Sequence, residues 1–321
     1  MIFLILISVF INVVFIYLFL KWRKLLLAKP KAQKNISTEK HSQKVGDFYN
    51  AQTNNFLKVY GDVIQAFRTK DVSVLLDHQI EAMQLSANKK VLDAGCGVCG
   101  PAIYFAAKTG VSIEAISISG LQVEKSKQNI QKNQLDELIH VQEGDYHTLT
   151  KYYEKNAFDL VYFLESFGHA SDHLMVLDSV WDVLKPGGMV YIKDLFVKKS
   201  NIPLFEQGIH IEVQKINAAY HYNIPELNNI LDYVRQKGFI LSSLSTIDIP
   251  LENFENLSIS NEFQVLTGIN KIDNLKEYIF PVDFFELKLI KPSFDISSGT
   301  NRYFLQNMYY LQIQKWHESN L

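Results

Sequence analysis

The chain has 321 residues, a formal net charge of −2, and 47% hydrophobic against 21% charged residues. That balance fills a packed core and leaves no basic footprint for nucleic acid. Its two cysteines, Cys96 and Cys99, exclude a disulfide framework and suit a reducing compartment.

Residues 1–20 carry no charged side chain, and Asn12 is their one strongly polar member. About twenty apolar residues in a helix rise roughly 30 Å, enough to cross a bilayer. Lys21, Arg23, Lys24, Lys29, Lys31 and Lys34 follow, with Trp22 at the interface. The positive-inside rule then predicts a single-pass anchor with the rest of the chain on the cytosolic side. The rival is a cleaved signal peptide. Against it, the run is longer than an ordinary h-region, no basic segment precedes it, and no clean small-x-small site follows. Residues 21–44 are basic and aperiodic and read as a linker, leaving one domain over 45–321.

Beyond that linker, Asn54–Leu85 has a helical signal and Lys90–Ala94 reads as a strand. Pro101–Thr109 reads as a helix, Val111–Ser119 as a strand, Leu121–Asn133 as a helix and Ile139–Gln142 as a third strand. Phe158–Leu164 is almost continuously apolar, as in a strand buried on both faces. An amphipathic helix over Leu174–Leu184 is stopped by Pro186-Gly187-Gly188, and Met189–Lys193 is a fifth strand. The alternation predicts an α/β fold: a doubly wound, mostly parallel, seven-stranded Rossmann-like sheet with ligands at the carboxyl ends of its strands. Helix Pro225–Gln236 and strand Phe239–Leu244 resume the pattern, and Tyr309–Gln314 reads as a last strand. The aromatic-rich stretches at about 197–224 and 246–300 are expected insertions that cover a substrate.

The strongest local signal is Val91-Leu92-Asp93-Ala94-Gly95-Cys96-Gly97-Val98-Cys99-Gly100-Pro101, a strand running through a glycine turn into a helix. Glycines admit close approach of a ligand to the backbone, and a helix N-terminus offers amide donors. The glycine spacing also satisfies G-x-G-x-x-G, so a dinucleotide site competes, as does a tight turn that binds nothing. Two observations weigh against a diphosphate. Asp93 ends the strand, where a carboxylate repels phosphate and attracts an ammonium. The next strand ends in Ser117-Ile118-Ser119 and lacks the ribose-binding acid.

These residues make the chain similar to the class I S-adenosylmethionine-dependent methyltransferases. Gly144-Asp145 after the third strand, Phe158-Asp159 opening the fourth, and Leu184-Lys185-Pro186-Gly187-Gly188 before the fifth keep that family's order and spacing. The resemblance implies that Asp93, Gly95 and Gly97 hold the methionine moiety of S-adenosyl-L-methionine. It implies that Asp145 and Tyr146 contact adenine, and that Ser119 and Gln122 lie near the ribose. Within the family, the Ser-rich strand end followed by Gln122 resembles the sterol, tocopherol and prenyl-diphosphate C-methyltransferases. So do the Glu and His of Leu164-Glu165-Ser166-Phe167-Gly168-His169. Phe48-Tyr49-Asn50 through Val59-Tyr60-Gly61 resembles their segment covering the cofactor. The stretch from Ile216 to Ile224 is similar to one in the geranyl-diphosphate enzymes.

The expectation is therefore methyl transfer to an alkene carbon of a lipophilic isoprenoid, a prenyl diphosphate or a sterol-like molecule. Such a reaction needs a base after methyl transfer, for which Glu165 and His169 are candidates. It also needs aromatic walls for a cation, for which Phe163, Phe167, Tyr220 and Tyr222 are candidates. Competing roles are cofactor binding or helix capping for Glu165, and a buried hydrogen bond for His169. Mg2+ would follow only from a diphosphate substrate, and no metal site is read from the chain itself. Cys96-x-x-Cys99 is one pair and cannot close a zinc site. Lys193, Lys198 and Lys199 are candidates for meeting a diphosphate, with a solvated surface as the simpler reading. The aromatics Tyr303, Phe304, Tyr309, Tyr310, Phe284 and Phe285 read as packing. Three other functions stay open: a small-molecule O- or N-methyltransferase, a tethered protein that binds the cofactor without turnover, and a nicotinamide-dependent oxidoreductase.

Overall fold

The computed structural model describes residues 33–254, 256–272 and 278–293. The chain divides into two compact units, residues 1–40 and 41–321. In the first unit the described residues, 33–40, are helical. The apolar run 1–20 and the Tyr309–Gln314 strand lie outside the described residues. Among the described residues, no helix is long and apolar enough to cross a membrane.

Residues 33–44, expected to be linker, belong instead to helix α1 (Gln33–Tyr60). The expected helix over Asn54–Leu85 is two: α1 stops at Tyr60, and α2 (Val72–Met83) starts where Asp71 accepts a hydrogen bond from the Ser73 amide. An Asp at this cap satisfies an amide that no helical carbonyl can reach. The irregular segment between them, residues 61–71, matters for the site.

The sheet then builds as β1 (Lys90–Ala94), α3 (Gly100–Thr109), β2 (Ser112–Ser117), α4 (Gly120–Lys132), β3 (Ile139–Glu143), β4 (Phe158–Leu164), α5 (His173–Val183) and β5 (Leu184–Val197). Helix α6 (Pro203–Tyr220), α7 (Leu227–Lys237), β6 (Ile240–Ser245), α8 (Asn256–Thr267) and β7 (Val282–Ile290) complete it. The strand order is β3-β2-β1-β4-β5-β7-β6. The first five strands are parallel, and β7 runs antiparallel to both β5 and β6. The seventh strand thus lies inside the stretch expected to be an insertion. Its Val282-Asp283-Phe284-Phe285-Glu286-Leu287 alternates too weakly to be read as a strand from sequence alone.

Alternation along the strands divides the core. Leu92, Val161, Phe163 and Ile192 pack against α5 and α7 on one face. Val91, Leu160, Tyr162 and Tyr191 pack against α2 and α3 on the other. Successive side chains on a strand point to opposite faces, so Phe163 is committed to the core beneath α5. This removes it from the role of substrate wall. Phe167, fully buried against Phe163 and His173, is removed on the same ground.

Candidate active site

At the carboxyl ends of β1, β2 and β4 lies a cavity of about 870 Å³, lined by Asp93, Gly95, Gly97, Ser117, Gln122, Asp145 and Tyr146 among others. Its floor is the turn after β1. The Gly95 and Cys96 amides donate to the Ile116 carbonyl at 2.9 and 3.1 Å, anchoring the turn to β2. Gly95 has φ +94, and a Cβ there would lie 2.5 Å from the Ser166 Cβ. At Gly100 a Cβ would meet the Asp62 carbonyl oxygen at 2.0 Å, so the glycine lets the 61–71 segment close down on the turn.

Asp93 is buried, and its Oδ2 accepts a hydrogen bond from the Tyr162 hydroxyl at 2.9 Å. Burial pushes its carboxyl up to about 7, partly offset by that bond. A buried carboxylate hydrogen-bonded to a neutral phenol has room for a cation. This fits the amino group of an amino-acid moiety. Asp145 caps the following turn: its Oδ1 accepts from the His147 amide at 2.9 Å and bonds the His147 ring at 2.6 Å. Burial would raise this carboxyl, but the His147 contacts outweigh it and hold it below its ordinary value. The Tyr146 hydroxyl donates to the Ser166 carbonyl at 3.0 Å.

Ser119 does not face the cavity. Its hydroxyl accepts from the Gln122 amide as the N-cap of α4 and donates to Asn50 at 2.7 Å. Ser117 and Gln122, joined at 2.9 Å, face the cavity instead.

A second cavity, about 1060 Å³, adjoins the first and shares Tyr49, Ile64 and Glu165 with it. Tyr220 and Tyr222 line it, together with Phe56, Tyr60, Phe263, Tyr278, Phe280 and Phe284. Of the four expected aromatic walls, the structure brings these two tyrosines to the cavity.

Glu165 stands where the cavities meet, with φ +58, a strained conformation for a residue with a side chain. Its Oε2 accepts from the Ala66 amide at 2.6 Å, and its Oε1 accepts from the Phe67 amide at 3.1 Å. Lys193, fully buried at the centre of β5, donates to the same Oε1. Burial drags the Lys193 ammonium below its ordinary pKa, with Glu165 pulling the other way. Lys193 is therefore neither solvated nor at the surface, contrary to the sequence reading. Glu165 ties β4 to the 61–71 segment, and among the described residues one lone pair of Oε2 is left without a partner.

His169 is also buried. Its Nδ1 lies 3.3 Å from the His221 carbonyl and so carries the proton, leaving Nε2 to accept from the Tyr49 hydroxyl at 2.8 Å. It stacks on Tyr222 at 3.8 Å. Burial pulls its pKa down to about 3, so it is neutral near pH 7. Cys96 and Cys99 are free and buried, and the Cys99 amide closes the turn onto the Cys96 carbonyl at 2.9 Å.

Sequence reasoning missed Gln65, Ala66 and Phe67, which sit in an aperiodic segment with no motif. It also missed Phe56 and Phe263, whose rings stack at 4.2 Å although their segments lie far apart in the chain. The helical spacing of Tyr49, Phe56 and Tyr60 was the one available signal for the α1 wall.

Known proteins resemble parts of this chain. Residues 92–192 match a family described as a methyltransferase domain. Methyltransferase GfsG of Streptomyces halstedii is 30% identical over 168 residues, 49% of this chain and 59% of that protein. A sterol 24-C-methyltransferase of Debaryomyces hansenii is 36% identical over 107 residues, 33% of this chain and 28% of that protein. The chain thus spans less than two thirds of the length of these curated relatives. The structure of geranyl diphosphate C-methyltransferase from Streptomyces coelicolor, at 12% identity, superposes with a TM-score of 0.58 over 82% of this chain and all of that one, a likeness of fold. Residues 92–192 thus carry a methyltransferase domain.

Proposed function

We propose that the protein is an enzyme that transfers a methyl group from S-adenosyl-L-methionine to an alkene carbon of a lipophilic isoprenoid, either a prenyl diphosphate or a sterol-like alkene. The observation that carries this reading is the aromatic cavity joined to the cofactor cavity at Tyr49, Ile64 and Glu165. Asp93 and the Gly95–Gly97 turn would hold the amino-acid end of the cofactor, and Asp145 with Tyr146 the adenine. Ser117 and Gln122 would face the ribose. When bound, the cofactor supplies an electrophilic methyl on a sulfonium.

Attack by the alkene leaves a carbocation. Tyr49, Tyr220 and Tyr222 present electron-rich faces, each worth about 0.5–2 kcal/mol to a cation. The cation then loses a proton to re-form an alkene, and the open lone pair of Glu165 Oε2 is the acceptor at the junction. His169 acts behind Tyr49, orienting its hydroxyl. We also place the apolar run 1–20 in a membrane as a single-pass anchor with the domain on the cytosolic side, which suits an acceptor that partitions into lipid. Labelled-methyl transfer to a panel of isoprenoids tests the reading. Turnover confined to phenols or amines would replace it with O- or N-methylation.

A further inference from the structure

The walls of the aromatic cavity bear on what the acceptor carries besides its alkene, given the isoprenoid reading above. Lys193 Nζ donates to Gln65 Oε1 at 3.0 Å, to the Phe67 carbonyl at 2.6 Å and to Glu165. It also lies over the rings of Phe67 and Phe284, at 5.5 and 5.9 Å. An ammonium has three protons, and all three are engaged. Lys198 pairs with Asp283 at 3.4 Å and covers the Phe280 ring. Lys199 bridges Glu206 and Glu226. The cations on and just after β5 thus each have an acidic partner, buried for Lys193, partly exposed for Lys198 and exposed for Lys199. Among the described residues, the charge that reaches the cavity wall is a carboxylate, Glu165.

The wall contributed by α8 and the turn after it is neutral and polar. Ser260, Asn261, Gln264 and Asn270 line it. The hydroxyls of Tyr60 and Tyr220 lie beside Ser260 and Gln264 respectively. Amides and hydroxyls both donate and accept, which matches a hydroxyl or carbonyl on a ligand. A diphosphate moved from water against these four residues would lose hydration without gaining a cation from them.

We infer that the acceptor is an uncharged isoprenoid with a hydroxyl or carbonyl group read by Asn261, Gln264 and Asn270, in preference to a prenyl diphosphate.

The test compares farnesol, farnesyl diphosphate with and without magnesium, and an unsaturated sterol on the full chain. Labelled-methyl transfer is the readout, with a phenol and an amine alongside. Farnesol or the sterol should exceed the diphosphate by about a hundredfold in kcat/KM, since a site shaped for neutral hydrogen bonding discriminates strongly. Asn261→Ala and Asn270→Ala should each raise the KM for the neutral acceptor by about tenfold, with kcat and the KM for the cofactor kept. Diphosphate turnover equal to or above that of the alcohol would overturn this inference and leave the isoprenoid reading standing. Methylation of no isoprenoid, with or without turnover of the phenol or amine, would overturn both.

Discussion

The cofactor-side cavity is walled by the carboxyl ends of parallel strands and the turns leaving them, whereas the aromatic cavity is walled by α1, α6, α8 and the β5–β7 rim. In the first, backbone does most of the shaping: glycines make room, Asp145 is fixed by its short-range cap and Asp93 by Tyr162 of the neighbouring strand. In the second, side chains from segments far apart in sequence meet ring to ring. The first is therefore sensitive to any added atom, and the second to the loss of bulk or of a polar group.

Several substitutions break or sharpen that contrast. The largest effect is expected at the junction. Removing one member of the buried Glu165–Lys193 pair strands the other, at about 3–5 kcal/mol of stability. Glu165→Gln and Lys193→Met should each lower the midpoint in urea denaturation. The double substitution should be less harmful than the sum, since no charge is stranded. A strictly additive double mutant would show that the two residues do not depend on each other. In protein that remains folded, Glu165→Gln should abolish methyl transfer while calorimetry still detects the cofactor.

Phe163→Ala should cost about 3–5 kcal/mol as a core cavity while leaving acceptor KM unchanged. Tyr222→Ala should do the reverse in kinetics, raising KM for the acceptor. If Phe163→Ala altered acceptor KM in a still-folded protein, the division between core and cavity drawn here would be wrong.

Next comes Asp93. Its folded pKa of about 7 lies above the ordinary carboxyl value. The stability tied to its protonated form is present at low pH and lost as pH rises through about 7. Cofactor affinity runs oppositely, because the carboxylate is the form that pairs an ammonium. Affinity measured by calorimetry should fall below pH 7, by at most about tenfold per unit. Asp93→Asn should flatten that profile and weaken binding throughout. His169, at about 3, should contribute no limb between pH 5 and 8.

The smallest change is Tyr49→Phe, which removes the bond to His169 Nε2 at a cost of about 1–2 kcal/mol. Its thermal midpoint should drop by a few degrees, with wild-type affinity for the cofactor.

The lining of the first cavity was legible because it is built from residues near one another in sequence. Asp93, Gly95, Gly97, Gln122, Asp145 and Tyr146 announce themselves beside strand ends, and the helix-strand alternation orders them. Ser119 was misplaced because sequence cannot tell a hydroxyl that caps α4 from one that faces a ligand two residues earlier. Phe163 and Phe167 were assigned as walls because they flank Glu165. The alternation of β4 sends Phe163 to the opposite face, and the short turn after β4 buries Phe167. Lys193 was read as a surface cation because its partners, Gln65 and Phe67, come from a segment without periodicity. The β7 strand was missed because its register is set by pairing with β5 and β6, not by its own pattern.

Helix α1 supplies Val45 and Tyr49 to one chamber and Tyr49, Phe56 and Tyr60 to the other. A single rod roofs both, so the comings and goings of the two ligands are ganged together. On the proposed reading, any movement of it that released spent donor would also uncover the greasy compartment. A loaded acceptor, gripping the rod from below, should therefore slow donor exchange and keep the reaction dry until both seats are filled.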